Sequence, residues 1–210
     1  LRVQTYDVTD LLQAENHLEI WLGNGWYKGR LGFDGGAYDR WGTDYLLAAT
    51  LEAEGKILAE TDASWLASAS PITDGGIYDG EVRDDTREPG EAVPCETVET
   101  KYKLVPPFSP AIRVKAERKP TLIHTPAGEQ VLDFGQNMAG WVSFVPAEHE
   151  GDTIRVRYAE RLNDDGTLYT DNLRNAKSED IYICGSNLTS HPSPHTPTEW
   201  HPSFVYHGFR

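Results

Sequence analysis

The sequence predicts an all-β chain folded as two antiparallel β-sandwiches of about 100 residues each. Three observations carry this expectation. Short apolar segments alternate with a period of two, helical periodicity is almost absent, and turn formers are dense, with 19 Gly and 13 Pro in 210 residues.

Taken in chain order, Tyr6-Asp7-Val8-Thr9-Asp10-Leu11-Leu12 reads as a capped helical turn, with Asp7 or Thr9 able to accept from its first amides. Leu18, Ile20 and Leu22 alternate with His17, Glu19 and Trp21 as in a strand, and Leu46 to Glu52 is a second strand candidate. Three prolines, Pro106, Pro107 and Pro110, then interrupt the pattern; each lacks a ladder donor and extends its predecessor, so a boundary is expected there. This divides the chain into domains 1–107 and 108–210. In the second, Ile112 to Glu117 and Thr153 to Tyr158 alternate cleanly, the latter placing Ile154, Val156 and Tyr158 on one face and Arg155 and Arg157 on the other. Shorter β-rich runs lie at Val131 to Phe134, Trp141 to Val145, Ile181 to Cys184 and Phe204 to Tyr206. Asn163-Asp164-Asp165-Gly166 is turn chemistry, with Gly166 suited to positive φ.

Charge narrows the partners. The chain carries 19 Lys+Arg against 33 Asp+Glu, a net −14, of which −11 falls in residues 1–107 and −3 in 108–210. Such a surface repels a phosphate backbone, so nucleic acid is not an expected partner. Nor is a membrane, because the longest apolar run, around Tyr45 to Thr50, is far below the roughly 20 residues of a spanning helix. Cys95 and Cys184 lie 89 positions apart without a second Cys or spaced His nearby, which excludes a zinc ribbon or a CxxC site. They are expected to be two unrelated thiols, the alternative being one long-range disulfide.

The first half also holds Trp21, Trp26, Trp41 and Trp65, four of the six tryptophans. Gly23-Asn24-Gly25-Trp26-Tyr27-Lys28-Gly29 fails the dinucleotide pattern, whose last glycine comes one place earlier. It does set the Asn24 amide beside Trp26 and Tyr27, the mix that binds sugars through ring faces and hydroxyl hydrogen bonds. The same residues also suit a glycine-permitted turn with Trp26 in the core. Ile77 to Asp85 is the densest carboxylate cluster, with Asp79 and Glu81 as candidate sugar ligands; Ca²⁺ takes such oxygens, but the spacing is not that of an EF-hand, and a solvated acidic loop fits equally. No G-x-S-x-G elbow is present, and candidate glycosidase acid pairs are too numerous to choose among. The histidines His191, His195, His201 and His207 lack helical zinc spacing and read as a polar, Pro-rich loop. Asn187-Leu188-Thr189 matches a glycosylation acceptor.

The run Asp133-Phe134-Gly135-Gln136-Asn137-Met138-Ala139-Gly140-Trp141 resembles the DFGQNxAGW signature of bacterial α-L-rhamnosidases of glycoside hydrolase family 78. Tyr158-Ala159-Glu160, Leu162-Asn163, Asp165 to Tyr169, Asn172-Leu173-Arg174 and Phe204 to Arg210 follow in that family's order. Upstream, Tyr6 to Leu12, Leu22 to Tyr27, Gly29 to Gly32 and Ile77 to Glu81 resemble its N-terminal domain. The resemblance implies a jelly-roll-like N-terminal sandwich lacking its first strands and a concanavalin-like second one. In that family the acids lie in an α/α-barrel that follows the His-Gly-Phe-Arg strand, so no catalytic residue is expected in this chain and no activity of its own. The implied parent removes terminal α-L-rhamnose by inversion. The implied partners are rhamnose-containing glycosides and the barrel, and the implied role is carbohydrate recognition or, alternatively, purely structural support of the barrel. Some modules of the family bind rhamnose through Ca²⁺; carried over, Asn24 sits at the sugar and Asp79 near the metal, while Gly23 stands where such a module has a carboxylate.

Overall fold

A computed structural model describes residues 2–126, 128–146, 149–185 and 199–210. The chain is almost wholly β, in agreement with the expectation. Its strands are β1 (Thr50–Ala53), β2 (Lys56–Glu60), β3 (Leu66–Ala67), β4 (Ile72–Gly76), β5 (Gly80–Asp84), β6 (Val93–Pro94), β7 (Thr121–His124), β8 (Gln130–Asp133), β9 (Met138–Gly140), β10 (Thr153–Arg157), β11 (Glu179–Ile183) and β12 (His207–Phe209). One α-helical turn, α1 (Gly25–Lys28), and two 3₁₀ turns, Thr9–Leu11 and Asp171–Leu173, complete the described elements.

The contacts divide the chain into two compact units, each assembled from several segments of the sequence. The first unit comprises Leu1–Trp21, Leu47–Ala67 and Val93–Arg118; the second comprises Leu22–Leu46, Ser68–Ala92 and Lys119–Arg210. The physical reason is long-range pairing. β5, from the first half, lies parallel to β11, with Val82 opposite Ile181 and Arg83 opposite Tyr182. A parallel pair needs a distant crossover, and no local sequence pattern announces it.

The first unit consists of the β1–β2 hairpin and the β3–β6 pair, both antiparallel. Its hairpin turns through Glu54 and Gly55 at φ 52° and 73°, the left-handed pair that matches strand twist. Asp7 Oδ1 accepts the Thr9 amide at 3.0 Å and starts the first 3₁₀ turn, as the sequence implied. Arg2 bridges Val105 and lays its guanidinium 3.5 Å from the Phe108 ring centroid. Two expected strands are absent: Leu18 to Leu22 and Ile112 to Glu117 form no ladder, and Ile112 is 79% exposed. Alternation marks a strand only where one face finds a cover, and among its described residues this unit buries none fully.

The second unit is organised by the sheet β10-β11-β5-β4, whose outer pairs are antiparallel. β10 has the predicted register, with Ile154, Val156 and Tyr158 turned inward and Arg155 and Arg157 exposed. Val131 to Phe134 becomes β8, antiparallel to β7, and Ile181 to Cys184 becomes β11, starting two residues earlier. Trp141 to Val145 is not a strand. The ladder lies just before it in β9, which pairs with β12, and only Phe144 pairs further, with Trp200. The expected Phe204 to Tyr206 strand likewise shifts to β12. The turn after Asn163 forms as read, with Gly166 at φ 85°. The apolar centre is Tyr182, Cys184 and Trp200, flanked by Phe144 and Ile154. The two cysteines fall in different units, Cys95 in the first and the buried Cys184 in the second. His191, His195 and the Asn187 acceptor lie outside the described residues. No helix among the described residues is long and apolar enough to cross a membrane.

Candidate functional site

All five sequence-nominated site residues fall in the second unit, but they divide between a cleft, the solvent and the interior. Gly23 and Asn24 lead into α1, where the Lys28 amide donates to the Asn24 carbonyl at 3.0 Å and Gly29 closes the turn on Gly25. The expected turn is therefore helical. Gly23 is required by packing: a Cβ there would stand 2.6 Å from the Phe204 ring. Trp26 is 63% exposed and Tyr27 37%, so neither ring is in the core.

Asn24 borders an open cleft whose lining also includes Leu22, Tyr45, Ile72, Asp74 and Phe204. Tyr45 donates its hydroxyl to Asn24 Oδ1 at 2.5 Å, and Asn24 Nδ2 lies 3.5 Å from Asp74 Oδ1. Asp74 is fixed in turn by accepting the Gly75 amide at 2.8 Å. Amide, phenol and carboxylate thus converge beside Ile72 and Phe204, with Ser70 and Thr73 also on the lining. Such a lining offers hydrogen-bonding groups to a ligand's hydroxyls and an apolar surface to its C–H face.

Asp79 and Glu81 are not in that cleft's lining. Asp79 is buried at the β4–β5 turn, where Arg30 Nε donates to Oδ2 at 2.8 Å and Arg30 Nη2 to Oδ1 at 2.5 Å. This two-point pairing holds the Asp79 carboxyl below its ordinary range, and the guanidinium also donates to the Gly35 and Asn175 carbonyls. Glu81 is fully buried. Its Oε2 accepts the Ser203 and Phe204 amides at 2.8 and 2.9 Å, while Oε1 has no partner among the described residues. Burial pushes its carboxyl up to about 7, against the lowering effect of those two amides. The nomination of Glu81 as a sugar ligand is therefore corrected: no ligand reaches it.

Around Glu81 the inner face of the central sheet is polar. Asp180, fully buried, accepts the Glu81 amide at 2.9 Å, the Tyr158 hydroxyl at 2.6 Å and His207 Nε2 at 3.1 Å. His207 stacks on Tyr158 with ring centroids 4.0 Å apart and meets Ser178 Oγ at 3.2 Å through Nδ1. Arg83 pairs with Asp85 at 2.7 Å, and Asp85 also accepts the Tyr182 hydroxyl. Buried polar groups persist only when paired in this way.

Two family models match, and together they take in nearly the whole chain. Residues 1–118 match the α-L-rhamnosidase N-terminal domain and 123–210 the bacterial α-L-rhamnosidase concanavalin-like domain. The chain belongs to the bacterial α-L-rhamnosidase family. Among curated rhamnosidases it is 32% identical to one from Formosa agariphila over 98% of the chain and 32% identical to one from Streptomyces avermitilis over 100%. It covers 23% and 21% of those proteins, so it spans less than a quarter of the relatives it matches. Among solved rhamnosidases, that of Aspergillus terreus superposes with a TM-score of 0.77 at 33% identity, over 100% of this chain and 25% of its own. That of S. avermitilis, solved with L-rhamnose, gives 0.74 at 29% identity over 89% of this chain and 19% of its own.

The Ca²⁺ that the rhamnosidase resemblance implied does not fit the residues at these positions. A guanidinium already neutralises Asp79, Phe204 occupies the space a carboxylate at position 23 would need, and among the described residues no three His, Cys, Asp or Glu side chains come together as a metal site. Within the rhamnosidase signature, Asp133 Oδ1 accepts the Gly135 amide at 2.7 Å and Arg210 Nε at 3.1 Å, and Asn137 donates to Glu160 at 3.0 Å. Sequence reasoning missed Tyr45, Asp74 and Arg30. Asp74, followed by Gly75-Gly76, lies just before the Ile77 to Asp85 carboxylate cluster, which was the one available signal; nothing near Tyr45 or Arg30 points to Asn24 or Asp79.

Proposed function

We propose that this chain is the non-catalytic accessory region of an α-L-rhamnosidase, and that it recognises terminal L-rhamnose in the Asn24 cleft. The observation that carries the reading is the convergence of Asn24, Tyr45 and Asp74 beside Phe204 and Ile72 in one open cleft. Hydroxyl groups of a pyranose pair with the amide and carboxylate, and its C–H face meets the apolar lining. The parent enzyme hydrolyses terminal α-L-rhamnose from glycosides, and its catalytic barrel is the partner of these β-domains within the same protein.

Calorimetric titration of the 210-residue chain with L-rhamnose tests the reading, with and without EDTA. Saturable heat is expected in both conditions, and Asn24→Ala and Asp74→Ala should each weaken binding about tenfold or more, the loss of one charge-assisted or paired hydrogen bond. Absence of heat at tens of millimolar sugar would sink it. The purely structural alternative draws on a different observation, the Asp133–Arg210 pair, which ties the signature to the last residue of the chain. It predicts support of the barrel and no sugar binding.

A further inference from the structure

Gly23, Asn24 and Tyr45 all line the cleft, so the segment between them leaves the cleft and returns to it. That segment exposes large rings in sequence: Trp26 63%, Tyr27 37%, Phe33 85%, Tyr38 52%, Trp41 56% and Tyr45 50%. Exposure of so many rings within one short stretch is unusual for a surface that meets only water.

The excursion is braced. The Lys28 ammonium pairs with Asp39 at 3.3 Å, bonds the Thr43 carbonyl and lies 5.0 Å from the Tyr45 ring centroid. The Asp39 amide donates to the Lys28 carbonyl at 2.9 Å, and Leu31 and Ala37 form a bridge. The Trp41 amide donates to the Tyr27 carbonyl at 3.4 Å, and the Tyr27 hydroxyl occupies the space where a side chain at Gly42 would begin. Arg30 anchors the base to Asp79. These rings are held on a scaffold, and little ordering remains to be done on binding.

The chemistry of the stretch selects the occupant. From Gly32 to Tyr45 the only aliphatic side chain is Ala37; the rest are rings, glycines, Thr43 and the exposed charged groups Asp34, Asp39, Arg40 and Asp44. A protein interface core mixes aliphatic side chains with its aromatics and sheds acidic residues. Rings alternating with carboxylates match a polyhydroxylated chain, whose sugar faces stack and whose hydroxyls pair.

We infer that the Trp26–Tyr45 excursion is a platform for the sugars that follow the terminal one, so that the chain binds an oligosaccharide across several units, with Trp41 as a stacking ring outside the cleft. This rests on the carbohydrate-recognition reading above and extends it from a single residue to a glycan.

The test measures calorimetric affinities of the 210-residue chain for L-rhamnose and for a tetrasaccharide ending in α-L-rhamnose, in the wild type, Trp41→Ala and Trp41→Phe. Circular dichroism verifies that each variant is folded. The tetrasaccharide should bind at least about tenfold more tightly than L-rhamnose. Trp41→Ala should erase that gain and leave L-rhamnose affinity unchanged, and Trp41→Phe should keep most of it. Equal affinity for the two ligands in the wild type overturns the platform while the cleft reading stands. Loss of L-rhamnose binding in Trp41→Ala also overturns it, because Trp41 would then belong to the terminal-sugar site. No binding of either ligand overturns the cleft reading itself and the platform with it.

Discussion

Glu81 sits on a strand between Gly80 and Val82 with one oxygen held by two amides and its surroundings closed to water. A carboxyl raised to about 7 resembles the general acid of a glycosidase, which is tuned upward in the same way. Access decides against that role, since the residue has no exposed surface and the Ser203–Phe204 backbone covers it. The shift is instead a stability term. The folded chain keeps Glu81 protonated up to about 7, whereas the unfolded one releases the proton near 4.5. The stabilisation is therefore complete below pH 4.5 and is lost as pH rises to about 7, an effect on the order of 3 kcal/mol. Glu81→Gln should flatten this slope, so that its melting temperature relative to wild type rises between pH 5 and pH 8. Parallel pH profiles of the two proteins in thermal melts would refute the assignment. Sequence alone cannot distinguish this residue from Asp84 or Glu88, which are alike in type; only the register of β5 turns Glu81 inward.

At the scale of elements, legibility followed locality. β10 was readable because one face is apolar and the other carries Arg155 and Arg157. β5 and the N-terminal end of β11 were not, because their inward positions hold Glu81, Arg83 and Asp180, so the polar pattern inverts the usual cue. The β5–β11 pairing also depends on Gly80, at φ 100°, where a Cβ would penetrate the Glu179 carbonyl. Gly80→Ala should therefore cost about 3 kcal/mol or more, combining left-handed strain with a backbone clash. Denaturant unfolding measures it; a loss below about 1 kcal/mol would show that the parallel ladder is not held there. Ile112 to Glu117 marks the opposite error, alternation without a covering face.

For the whole molecule, the all-β class and the family were legible, the first from period and turns and the second from ordered motifs across the chain. The division into units was not, because segments 22–46 and 68–92 join residues 119–210 through long-range contacts. The candidate site was half legible. Asn24 was found through its glycine-rich turn, while Tyr45 and Asp74 reach it from 21 and 50 residues away. The acidity of residues 1–107 likewise resolves into separate roles: Asp74 at the cleft, Asp79 in an ion pair and Glu81 in the interior. The central claim, that this region recognises rhamnose in the Asn24 cleft, is tested most directly by amide-resolved NMR of the ¹⁵N-labelled chain titrated with L-rhamnose. The Asn24 side-chain amide and the Gly75 amide should move saturably while the buried Ser203 and Phe204 amides at Glu81 stay in place; unmoved Asn24 and Gly75 signals at saturating sugar would contradict the claim.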